Sequence, residues 1–465
     1  MNEQFDLCVV GAGPAGYVAA IRAARTGRRV AVVEAREAGG TCLNRGCVPT
    51  KALLHAAELW RAVENAGAFG IRVQGASFDY AAMRQKKDET VAQLRGGVEA
   101  LLRANGAELV NARAVVRGAH TVDAGGRILE AAHILVATGC RPARIPVEGI
   151  DLPGVVTSDE LLDGGELPKS LVIIGGGVIG AEFASLYGAL GVAVTVVEAQ
   201  KNLLPQLDAE LGRSLALSLR KRGIGIHTGA SVKRIERREG ELACVFEENE
   251  APCVVTGERV LVSVGRKPDL AGLFDGVDVA TERGYIKTDA NGATSVPGIW
   301  AAGDVVCGAV QLAHAASGMG VNAVCAMFGE APAYDLSVMP SCVYTDPEIA
   351  SAGLDERTAQ AQGIETAVGK FVMGANARTK IATDERCFVK VVFDKNSRRL
   401  LGAQLLCERA TDMIGALAAD IAAGRTDSEL LRTVQPHPTF SEGIAEAIED
   451  AFGGAVHAMP RRRTP

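Results

Sequence analysis

The sequence lacks an excess of positive charge. Its 49 lysines and arginines are outnumbered by 55 aspartates and glutamates, which gives a net charge of −6. A basic surface for a nucleic acid or an anionic membrane is therefore not expected. The one basic cluster, Arg461–Arg463, stands in a proline-flanked C-terminal tail and has too few charges to define such a surface, so we interpret it as a solvated terminus.

Long apolar segments and targeting signals are also missing. No run of 18 apolar residues free of charge occurs, so no transmembrane helix is expected. No basic region precedes the first apolar segment, and the glycines of Gly11–Gly16 interrupt that segment too early for a signal peptide. We therefore expect a cytoplasmic protein with no membrane partner.

Cysteines are numerous but almost all isolated. The chain has 11, and only Cys42 and Cys47 form a close pair in a glycine-rich setting. No second cysteine pair or nearby histidine completes a zinc site, so we expect no metal. Thiols stay reduced in the cytosol, so a disulfide is expected only at this pair, where it would be catalytic. The plain alternative for the pair is two buried, structural thiols.

The length indicates several domains. At 465 residues the chain is too long for one core, and a prior of about 150 residues per domain suggests roughly three. The 54 glycines are typical of a globular protein with many close backbone approaches.

Two segments repeat one pattern of strand, glycine-rich turn, helix and strand. The first comprises a buried strand (Asp6–Val10), the turn Gly11–Gly16, an alanine-rich helix (Tyr17–Arg25) and a second strand (Val30–Glu34). The second comprises Leu171–Ile174, Gly175–Gly180, a helix through Leu190, and Val194–Glu198. The final glutamate follows the first glycine at the same spacing in both segments, so we interpret them as two copies of one nucleotide-binding unit.

The glycines and the glutamate of each copy suit a dinucleotide. The first glycine permits the tight turn, the second lets the backbone approach a pyrophosphate, and the third lets the helix pack on the strand. The helix N-terminus adds free N–H groups and a positive dipole end. Glu34 and Glu198 can accept from a ribose 2′-hydroxyl and would repel a 2′-phosphate. Two dinucleotides are expected, the alternative being that the glycines serve only helix–strand packing.

The segment Gly39–Lys51 follows the first unit and contains the cysteine pair. Pro49 suits the first position of a helix, which would place Cys47 just upstream of the helix N-terminus, where the pKa of a thiol is lowered. An ideal α-helix holds residues five apart at roughly 8–9 Å between Cα atoms, beyond the roughly 7 Å limit for a disulfide. Bridging Cys42 to Cys47 therefore requires a distorted turn, for which Gly46 offers freedom, and the bond would exchange readily.

The rest of the chain contains a connection, further strands and a separate C-terminal region. The connection is the stretch Pro142–Gly149. Buried strands are predicted at Arg259–Val264 and, with an acidic residue at a ligand-facing tip, at Ile299–Asp304. From Met339 the pattern changes to mixed strands and helices, including a helix over Ala410–Ala423, which predicts a third domain.

Four motifs resemble those of one protein family. They are GGTCLNRGCVPTKALL at 39–54, ATG at 137–139, AAGD at 301–304 and HPTFSE at 437–442. The sequence resembles the flavin disulfide reductases of the pyridine nucleotide-disulfide oxidoreductase family, and CLNRGCVPTKALL looks most like its dihydrolipoyl dehydrogenase branch. The resemblance runs from Phe5 to about Asp450. The chain departs from the family pattern at Gln435, where a histidine is frequent, and at Ala114, where a glycine stands near the flavin adenine.

The resemblance implies an α/β fold with two Rossmann-like nucleotide-binding domains, one for FAD and one for NAD, and an α+β C-terminal dimerisation domain. The implied FAD domain spans 1–149 and is completed by 271–338, the NAD domain spans 150–270, and the dimerisation domain spans 339–465. The residues expected to bind the two cofactors are Gly11, Gly13, Pro14, Ala15, Gly16, Glu34, Gly40, Thr41, Lys51, Ala114, Ala137, Thr138, Gly139, Gly303, Asp304, Gln311, Leu312, Ala313, His314, Gly175, Gly177, Val178, Ile179, Gly180, Glu182, Glu198, Val232 and Gly265.

The resemblance also implies separate roles for the two thiols. Cys42 should exchange with the substrate sulfur, and Cys47 should face the flavin. Lys51 resembles the lysine near the flavin's reactive nitrogen, and Glu182 resembles its carboxylate partner. The alternatives are a solvated helix lysine and a surface glutamate.

His437 resembles the general base of the family. Its neutral imidazole can take a dithiol proton near neutral pH, and Pro438 restricts its backbone. Glu442 could orient the ring and stabilise the imidazolium, although Thr439–Glu442 also fits a helix capping box. In the family, which is homodimeric, this histidine completes the redox site of the other subunit.

These roles imply that protein-bound dihydrolipoyl groups are oxidised with NAD+ through the disulfide and FAD. Sister reductases of glutathione disulfide or mercuric ion are alternatives, but Glu198 disfavours the NADPH typical of the former, and no cysteine pair lies near the C-terminus as the latter requires. A noncatalytic flavoprotein is a third alternative, disfavoured by the intact redox set. Because no lipoyl domain precedes Phe5, we expect the lipoyl group on a separate protein of a 2-oxo acid dehydrogenase complex or the glycine cleavage system, with free lipoamide as the alternative.

Overall fold

The computed structural model of the protein describes residues 3–459, and the predicted solvated tail Arg461–Arg463 lies outside this range. The described chain divides into two units. Unit 1 contains residues 3–144, 157–166 and 265–336, and unit 2 contains residues 145–156, 167–264 and 337–459. The predicted α/β class is confirmed. Within the described range, no helix is both long and apolar enough to cross a membrane.

The strands of the described residues are β1 (Glu3–Val10), β2 (Val30–Glu34), β3 (Glu108–Asn111), β4 (Ala114–Gly118), β5 (Thr121–Ala124), β6 (Arg127–Val136), β7 (Cys140–Pro142), β8 (Val155–Thr157), β9 (Ser170–Ile174), β10 (Ala193–Glu198), β11 (Gly225–Thr228), β12 (Ala230–Arg238), β13 (Glu241–Glu248), β14 (Ala251–Gly257), β15 (Arg259–Val262), β16 (Arg266–Pro268), β17 (Thr281–Glu282), β18 (Tyr285–Ile286), β19 (Ile299–Ala301), β20 (Ser341–Val343), β21 (Ile349–Gly353), β22 (Thr366–Val372), β23 (Phe388–Asp394) and β24 (Leu400–Leu406).

The α-helices are α1 (Pro14–Arg25), α2 (Gly40–Arg45), α3 (Cys47–Asn65), α4 (Tyr80–Ala104), α5 (Ser158–Asp163), α6 (Val178–Ala189), α7 (Ala209–Lys221), α8 (Ala313–Met327), α9 (Glu356–Ala361), α10 (Ala377–Ala382), α11 (Ala410–Ala422), α12 (Asp427–Leu430) and α13 (Glu442–Ala451). Two 3-10 turns lie at Ala66–Phe69 and Met373–Ala375.

A central sheet organises unit 1, in the order β3-β2-β1-β6-β5-β4, with β19 also paired to β6. Strand β1 runs parallel to both of its neighbours, β2 and β6. Its side chains alternate between two cores, with Cys8 and Val10 in one and Leu7 and Val9 in the other. A strand buried on both faces is apolar throughout, which explains the continuous apolar run in the sequence.

The alanine face of α1 packs into the second of these cores. Ala15, Ala19 and Ala23 are buried there beside Leu7 and Val9. The short side chains let the helix lie close to the sheet. The N-terminus of α1 therefore lies at the carboxyl end of β1, the position at which open α/β sheets bind nucleotides.

Unit 2 contains a five-stranded sheet and two antiparallel sheets. The five-stranded sheet has the order β11-β10-β9-β15-β8, in which β11, β10, β9 and β15 run parallel, and β12-β13-β14 form a three-stranded sheet. The C-terminal sheet, β20-β21-β24-β23-β22, is antiparallel and shares one core with α11 and α13. The predicted helix over Ala410–Ala423 is confirmed as α11, which ends one residue earlier. The predicted domain boundaries stay a prediction.

Candidate active site

The first glycine motif forms a backbone turn that side chains would block. Gly11 has φ +102°, and a Cβ atom there would lie 2.4 Å from the Ala137 carbonyl oxygen. A Cβ atom on Gly16 would lie 1.8 Å from the Gly11 carbonyl oxygen. Helix α1 begins at Pro14, and no side chain caps the N-terminus that follows Gly13. Its first-turn N–H groups are thus directed toward the turn, where a phosphate group can accept from them.

The redox segment packs directly on this turn. A Cβ atom on Gly40, the first residue of α2, would lie 2.6 Å from the Cα atom of Gly13. The N–H of Gly39 donates to the carbonyl oxygen of Ala12 at 2.8 Å. The proximity of the cysteine segment to the nucleotide motif therefore follows from contacts between glycine backbones.

Glu34 is held in place by two backbone donors. Its Oε2 accepts from the Ala12 N–H at 2.7 Å, and its Oε1 accepts from the Arg36 N–H at 2.8 Å. A carboxylate has about four acceptor positions, so two remain for a ribose hydroxyl. This geometry fits the predicted role.

The other residues expected to bind FAD lie around the same sheet. Ala114 begins β4, Ala137–Gly139 follow β6, and Ala313 and His314 open α8 after its cap residue Leu312. The hydroxyl of Thr138 is buried and has no hydrogen-bond partner within residues 3–459. A buried hydroxyl without a partner is costly, so a ligand group that bonds to it fits the site.

Gly303 and Asp304 close the site from the end of β19. Gly303 packs on Ala15, whose Cβ atom would lie 3.3 Å from an added Cβ. Burial raises the pKa of Asp304, and Arg266 opposes this shift. A hydroxyl donor, such as one on the polyol chain of a flavin, would therefore stabilise the charged form of this carboxylate. The glycine cradle, the Thr138 hydroxyl and the Asp304 carboxylate together fit a flavin dinucleotide.

Sequence reasoning missed the contacts of Cys140. Its Sγ donates to the Asp304 carbonyl oxygen at 3.1 Å and accepts from Nε2 of Gln311 at 3.2 Å. Arg266 donates to the carbonyl oxygen of Cys140 at 2.8 Å. Burial raises the pKa of the Cys140 thiol to about 12, so the thiol stays a neutral donor. The position of Cys140 directly after the ATG motif is the feature of the sequence that could have indicated these contacts.

The redox cysteines lie at the junction of two helices. Cys42 belongs to α2 and Cys47 begins α3, and the two residues form a disulfide with their Cα atoms 4.7 Å apart. Gly46 separates the helices, and a Cβ atom on it would lie 2.9 Å from the Thr41 carbonyl oxygen. The predicted distorted turn is therefore present at Gly46.

One local prediction about this segment is wrong. Helix α3 begins at Cys47, so Pro49 is its third residue and Cys47 lies inside the first turn. A proline is tolerated there because the first four N–H groups of a helix have no intrahelical partner. The backbone N–H of Thr50, which follows the proline, donates to the Gly46 carbonyl oxygen at 3.1 Å and closes the first turn.

Asn44, which the sequence did not single out, fixes the loop between the cysteines. Its Nδ2 donates to the carbonyl oxygens of Ala38 at 2.9 Å and Gly40 at 3.0 Å. Arg45 also pairs with Glu37. The position of Asn44 between the two cysteines is the feature of the sequence that could have indicated this role.

The second glycine motif repeats the geometry of the first. Gly175 has φ +105°, and a Cβ atom there would lie 2.5 Å from the Ser263 carbonyl oxygen. A Cβ atom on Gly180 would lie 1.9 Å from the Gly175 carbonyl oxygen. Glu198 accepts from the N–H groups of Gly176 and Gln200, each at 2.6 Å. The two copies are thus alike in turn, helix start and carboxylate.

The second copy is open where the first is covered. Apart from its chain neighbours, no atom of the described residues lies within 4 Å of a Cβ built on Gly177, whereas Gly13 faces Gly40. Val178 and Ile179 begin α6 at this open side. Val232 lies in β12 and packs against a core that includes residues of β9, β10, β13 and β15, and Gly265 lies in unit 1. The open turn and the fixed carboxylate fit a second dinucleotide.

Lys51 and Glu182 belong to different units, and their predicted pairing stays a prediction. Lys51 lies partly buried in α3. Glu182 is only 3% exposed in α6, and its Oε1 accepts from the Tyr344 N–H at 3.0 Å. The alternative of a surface role for Glu182 is therefore wrong.

His437 and Glu442 lie together at the start of α13. Nδ1 of His437 donates to Oε1 of Glu442 at 2.8 Å, and the histidine side chain is 72% exposed. Oε2 of Glu442 accepts from the Thr439 N–H at 2.8 Å. This N–H lowers the pKa of Glu442, opposed by burial and aided by His437. The carboxylate is thus ionised where an imidazole titrates, and Nε2 is left for a proton from substrate.

Of the two hydrogen bonds of the predicted capping box at Thr439–Glu442, only one is present. Glu442 satisfies the Thr439 N–H, as in a capping box, but the Thr439 hydroxyl donates to the Pro436 carbonyl oxygen at 2.8 Å. Helix α13 begins at Glu442, after Ser441, and no side chain caps it. One carboxylate therefore fixes the backbone of the turn and orients the imidazole.

Comparison with known proteins agrees with this site. Residues 5–320 match the pyridine nucleotide-disulphide oxidoreductase family, and residues 339–448 match the dimerisation domain of that family. The chain is 40% identical to the dihydrolipoyl dehydrogenase of Chlorobaculum tepidum, over 97% of this chain and 98% of that protein. It is 36% identical to the dihydrolipoyl dehydrogenase of Bacillus subtilis, over 98% of this chain and 100% of that protein.

Solved structures show the same fold. The HOCl-induced flavoprotein disulfide reductase RclA from Escherichia coli has a TM-score of 0.85 and 30% identity, covering 96% of this chain and 99% of that chain. LpdA from Mycobacterium tuberculosis has a TM-score of 0.87 and 27% identity, with the same coverage of both chains. The expected cofactors, FAD and NAD, agree with those that the family uses. The chain therefore belongs to the pyridine nucleotide-disulphide oxidoreductase family.

Proposed function

We propose that this protein is a dihydrolipoyl dehydrogenase, which oxidises protein-bound dihydrolipoyl groups with NAD+. The observation that carries the proposal is the Cys42–Cys47 disulfide, packed through Gly40 onto a dinucleotide-binding turn. The dihydrolipoyl dehydrogenases of Chlorobaculum tepidum and Bacillus subtilis, which align over nearly the whole chain, support the choice of substrate.

The two glycine motifs would hold the two cofactors. Gly11–Gly16, Glu34, Thr138 and Asp304 would hold FAD in unit 1, and Gly175–Gly180 with Glu198 would hold NAD in unit 2. When bound, FAD accepts two electrons from a dithiol and supplies them to NAD+ as a hydride equivalent.

The protein's own chemistry is a thiol–disulfide exchange. One thiolate of the dihydrolipoyl group attacks Sγ of Cys42, which breaks the Cys42–Cys47 bond and releases Cys47 as a thiolate. The second substrate thiol then attacks the mixed disulfide and releases Cys42. The substrate leaves as a disulfide, two electrons remain on the cysteine pair, and His437 accepts a proton from a substrate thiol at Nε2.

The start of α3 stabilises the leaving thiolate. Cys47 is the first residue of α3, so its sulfur lies at the positive end of the helix dipole. Such a position lowers the pKa of a thiol and favours Cys47 as the anion. Cys42 also lies in a first turn, but that of the six-residue helix α2, whose dipole is weaker than that of the 19-residue helix α3, so Cys42 suits the exchange role.

The proposal includes a homodimer and a separate lipoyl-bearing partner. The match of residues 339–448 to the dimerisation domain supports the dimer, in which His437 would serve the disulfide of the other subunit. The lipoyl group would arrive on a 2-oxo acid dehydrogenase complex or the glycine cleavage system. The nine other cysteines, all described, form no disulfide, which supports a reducing, cytoplasmic location.

A matched pair of histidine variants tests the proposal. His437→Gln should leave the flavin bound but slow dihydrolipoamide oxidation by about 100-fold or more, because the general base is lost. His55→Gln makes the same change at an exposed histidine paired with Glu58 and should leave turnover unchanged. Unchanged turnover in His437→Gln would contradict the assigned role.

Substrate and nucleotide are tested on one preparation. Steady-state rates with dihydrolipoamide, glutathione disulfide and mercuric ion should favour dihydrolipoamide. Rates with the NAD couple should exceed those with the NADP couple, because Glu198 would repel a 2′-phosphate. A preference for NADPH and glutathione disulfide would overturn the proposal.

A further inference from the structure

A second histidine–carboxylate pair lies beside the first. The backbone N–H of His457 donates to Oε2 of Glu446 at 3.0 Å, and Nδ1 of the same residue donates to Oε1 at 2.6 Å. One carboxylate therefore accepts both donors of His457. The Glu446 side chain is 15% exposed and the His457 side chain 70% exposed. The chain that follows α13 is thus tied back to the helix by a two-point contact.

The two pairs share one face of α13. Glu442 and Glu446 are four residues apart in the helix, and side chains at this spacing lie next to each other. His437 approaches this face from the chain before the helix, and His457 approaches it from the chain after the helix. The helix thus places two imidazoles along one row of carboxylates.

The charges on this face act on each other. The pKa of Glu442 is lowered by the Thr439 N–H and by His437, and His457 adds a further lowering. The pKa of His457 is raised, chiefly by its bond to Glu446, with contributions from Glu442 and Glu449. From a neighbouring element, Arg378 of α10 places its guanidinium 5.7 Å from the Phe440 ring, just before α13. His457 therefore faces three carboxylates and is electrostatically coupled to the Glu442–His437 pair.

We propose that His457 is a positioning residue for the reaction, which fixes the C-terminal segment on Glu446 and sets the charge around the Glu442–His437 pair. The inference rests on the proposed role of His437 as general base. A cationic His457 offsets part of the negative field of Glu442 and Glu446. This offset makes a positive charge on the neighbouring His437 ring less favourable than it would be beside uncompensated carboxylates.

Two variants separate the charge of His457 from its side-chain hydrogen bond to Glu446. His457→Asn keeps an amide donor where Nδ1 now lies and removes the titratable charge, whereas His457→Ala removes both. Loss of the charge should favour the His437 imidazolium. We expect both variants to move the acid limb of the kcat/KM profile upward by about 0.3 pH units, a roughly twofold loss on that limb, with an unchanged plateau.

Salt and a matched histidine supply the controls. The shift should shrink in 1 M salt, since exposed charges are screened at that ionic strength. His227→Asn changes another histidine that pairs through Nδ1, here with Glu248 at 2.8 Å on β11 and β13, and should leave the profile unchanged. Dihydrolipoamide oxidation by the full-length holoenzyme is the assay in every case.

The outcomes are distinguishable from those of the proposed function. An upward shift in both His457 variants that salt suppresses supports the inference. Profiles that coincide with the parent, or a shift in His457→Ala alone, overturn the electrostatic role. Full turnover in His437→Gln would instead overturn the proposed function, whatever the His457 variants do.

Discussion

Gly46 lies so close to Cys42 that a Cβ atom on the glycine would be 3.2 Å from the Cys42 Cα atom and 2.9 Å from the Thr41 carbonyl oxygen. This approach brings the end of α2 onto the start of α3 and closes the loop of four residues between the two cysteines. Gly46→Ala should force the two helices apart and destabilise the disulfide by about 1–3 kcal/mol, the usual cost of overpacking. Titration of the cysteine pair with dithiothreitol would measure a higher fraction of dithiol at each reductant concentration.

The matched control for this variant is Gly97→Ala. Gly97 lies inside α4, and apart from the backbone of its own helix no atom of the described residues comes within 4 Å of a Cβ built there. The same substitution should stabilise this helix by up to about 1 kcal/mol and leave the redox equilibrium unchanged. An unaltered dithiol fraction in Gly46→Ala would contradict the argument from packing.

The sequence was sufficient to predict the two nucleotide units, because their signals are local. Apolar runs, glycines and a closing glutamate follow one another within each unit, so strand, turn and helix were assigned from short segments. The first copy shows this at Val30–Glu34, which is β2 with the predicted bounds. The redox turn at Gly46 was also predictable, since a bond between Cys42 and Cys47 cannot form across a continuous helix.

Contacts between distant segments were not predictable. Cys140 meets Gln311 across 171 positions, and Arg266 reaches Cys140 across 126 positions. The buried lysine of β23, Lys390, stands in an apolar strand and gave no sign that its partner would be Asp208. Such pairings depend on how sheets and helices stack, and a single sequence taken by itself holds no record of that.

Glu34 and Glu198 end the second strand of the two nucleotide units, and the same substitution at each should affect a different cofactor. Glu198 accepts from the Gly176 and Gln200 N–H groups, and a glutamine can accept at one oxygen only. Glu198→Gln should therefore raise the KM for NADH by about 10-fold or more, the effect of 1–3 kcal/mol for an unpaired donor, and reduce the preference over NADPH. Steady-state kinetics with both nucleotides would measure this.

Glu34→Gln makes the same change in the first unit, where Ala12 and Arg36 are the donors. It should weaken flavin retention, measured as the 450 nm absorbance left after gel filtration, and leave the NADH preference as in the parent. If both variants altered the same cofactor, the assignment of one dinucleotide to each motif would be wrong.

Glu442→Gln should move the acid limb of activity in the direction opposite to His457→Asn. The pKa of Glu442 is held low by the Thr439 N–H, so its carboxylate is charged near neutral pH. Removing that charge makes the imidazolium less favourable. The acid limb of kcat/KM for dihydrolipoamide should therefore fall to lower pH, and the plateau should drop because the single remaining oxygen cannot serve both His437 and Thr439. A limb that moved upward would contradict this reasoning.

Lys390 should be a major source of stability in unit 2. Its side chain is 4% exposed and donates to Asp208, which is 8% exposed, at 2.6 Å. Burial lowers the pKa of Lys390, but the bond to Asp208 and neighbouring carboxylates outweigh burial and raise it. The stabilisation is thus complete below the unfolded pKa of about 10.4 and is lost as pH rises through the folded value. Lys390→Met should lower the free energy of unfolding near neutral pH by about 3–5 kcal/mol, because Asp208 is left buried without its partner.

The same substitution at an exposed lysine separates burial from loss of charge. Lys395 pairs with Glu365 at the surface, where the side chains are 55% and 62% exposed. Lys395→Met should cost less than about 1 kcal/mol. Urea denaturation followed by circular dichroism would compare both variants with the parent at pH 7.5 and above pH 10.4. The difference in the free energy of unfolding between the parent and Lys390→Met should be smaller at the higher pH, because the parent loses its ion pair there. A difference that stayed constant would assign the effect of Lys390 to packing of its alkyl chain instead.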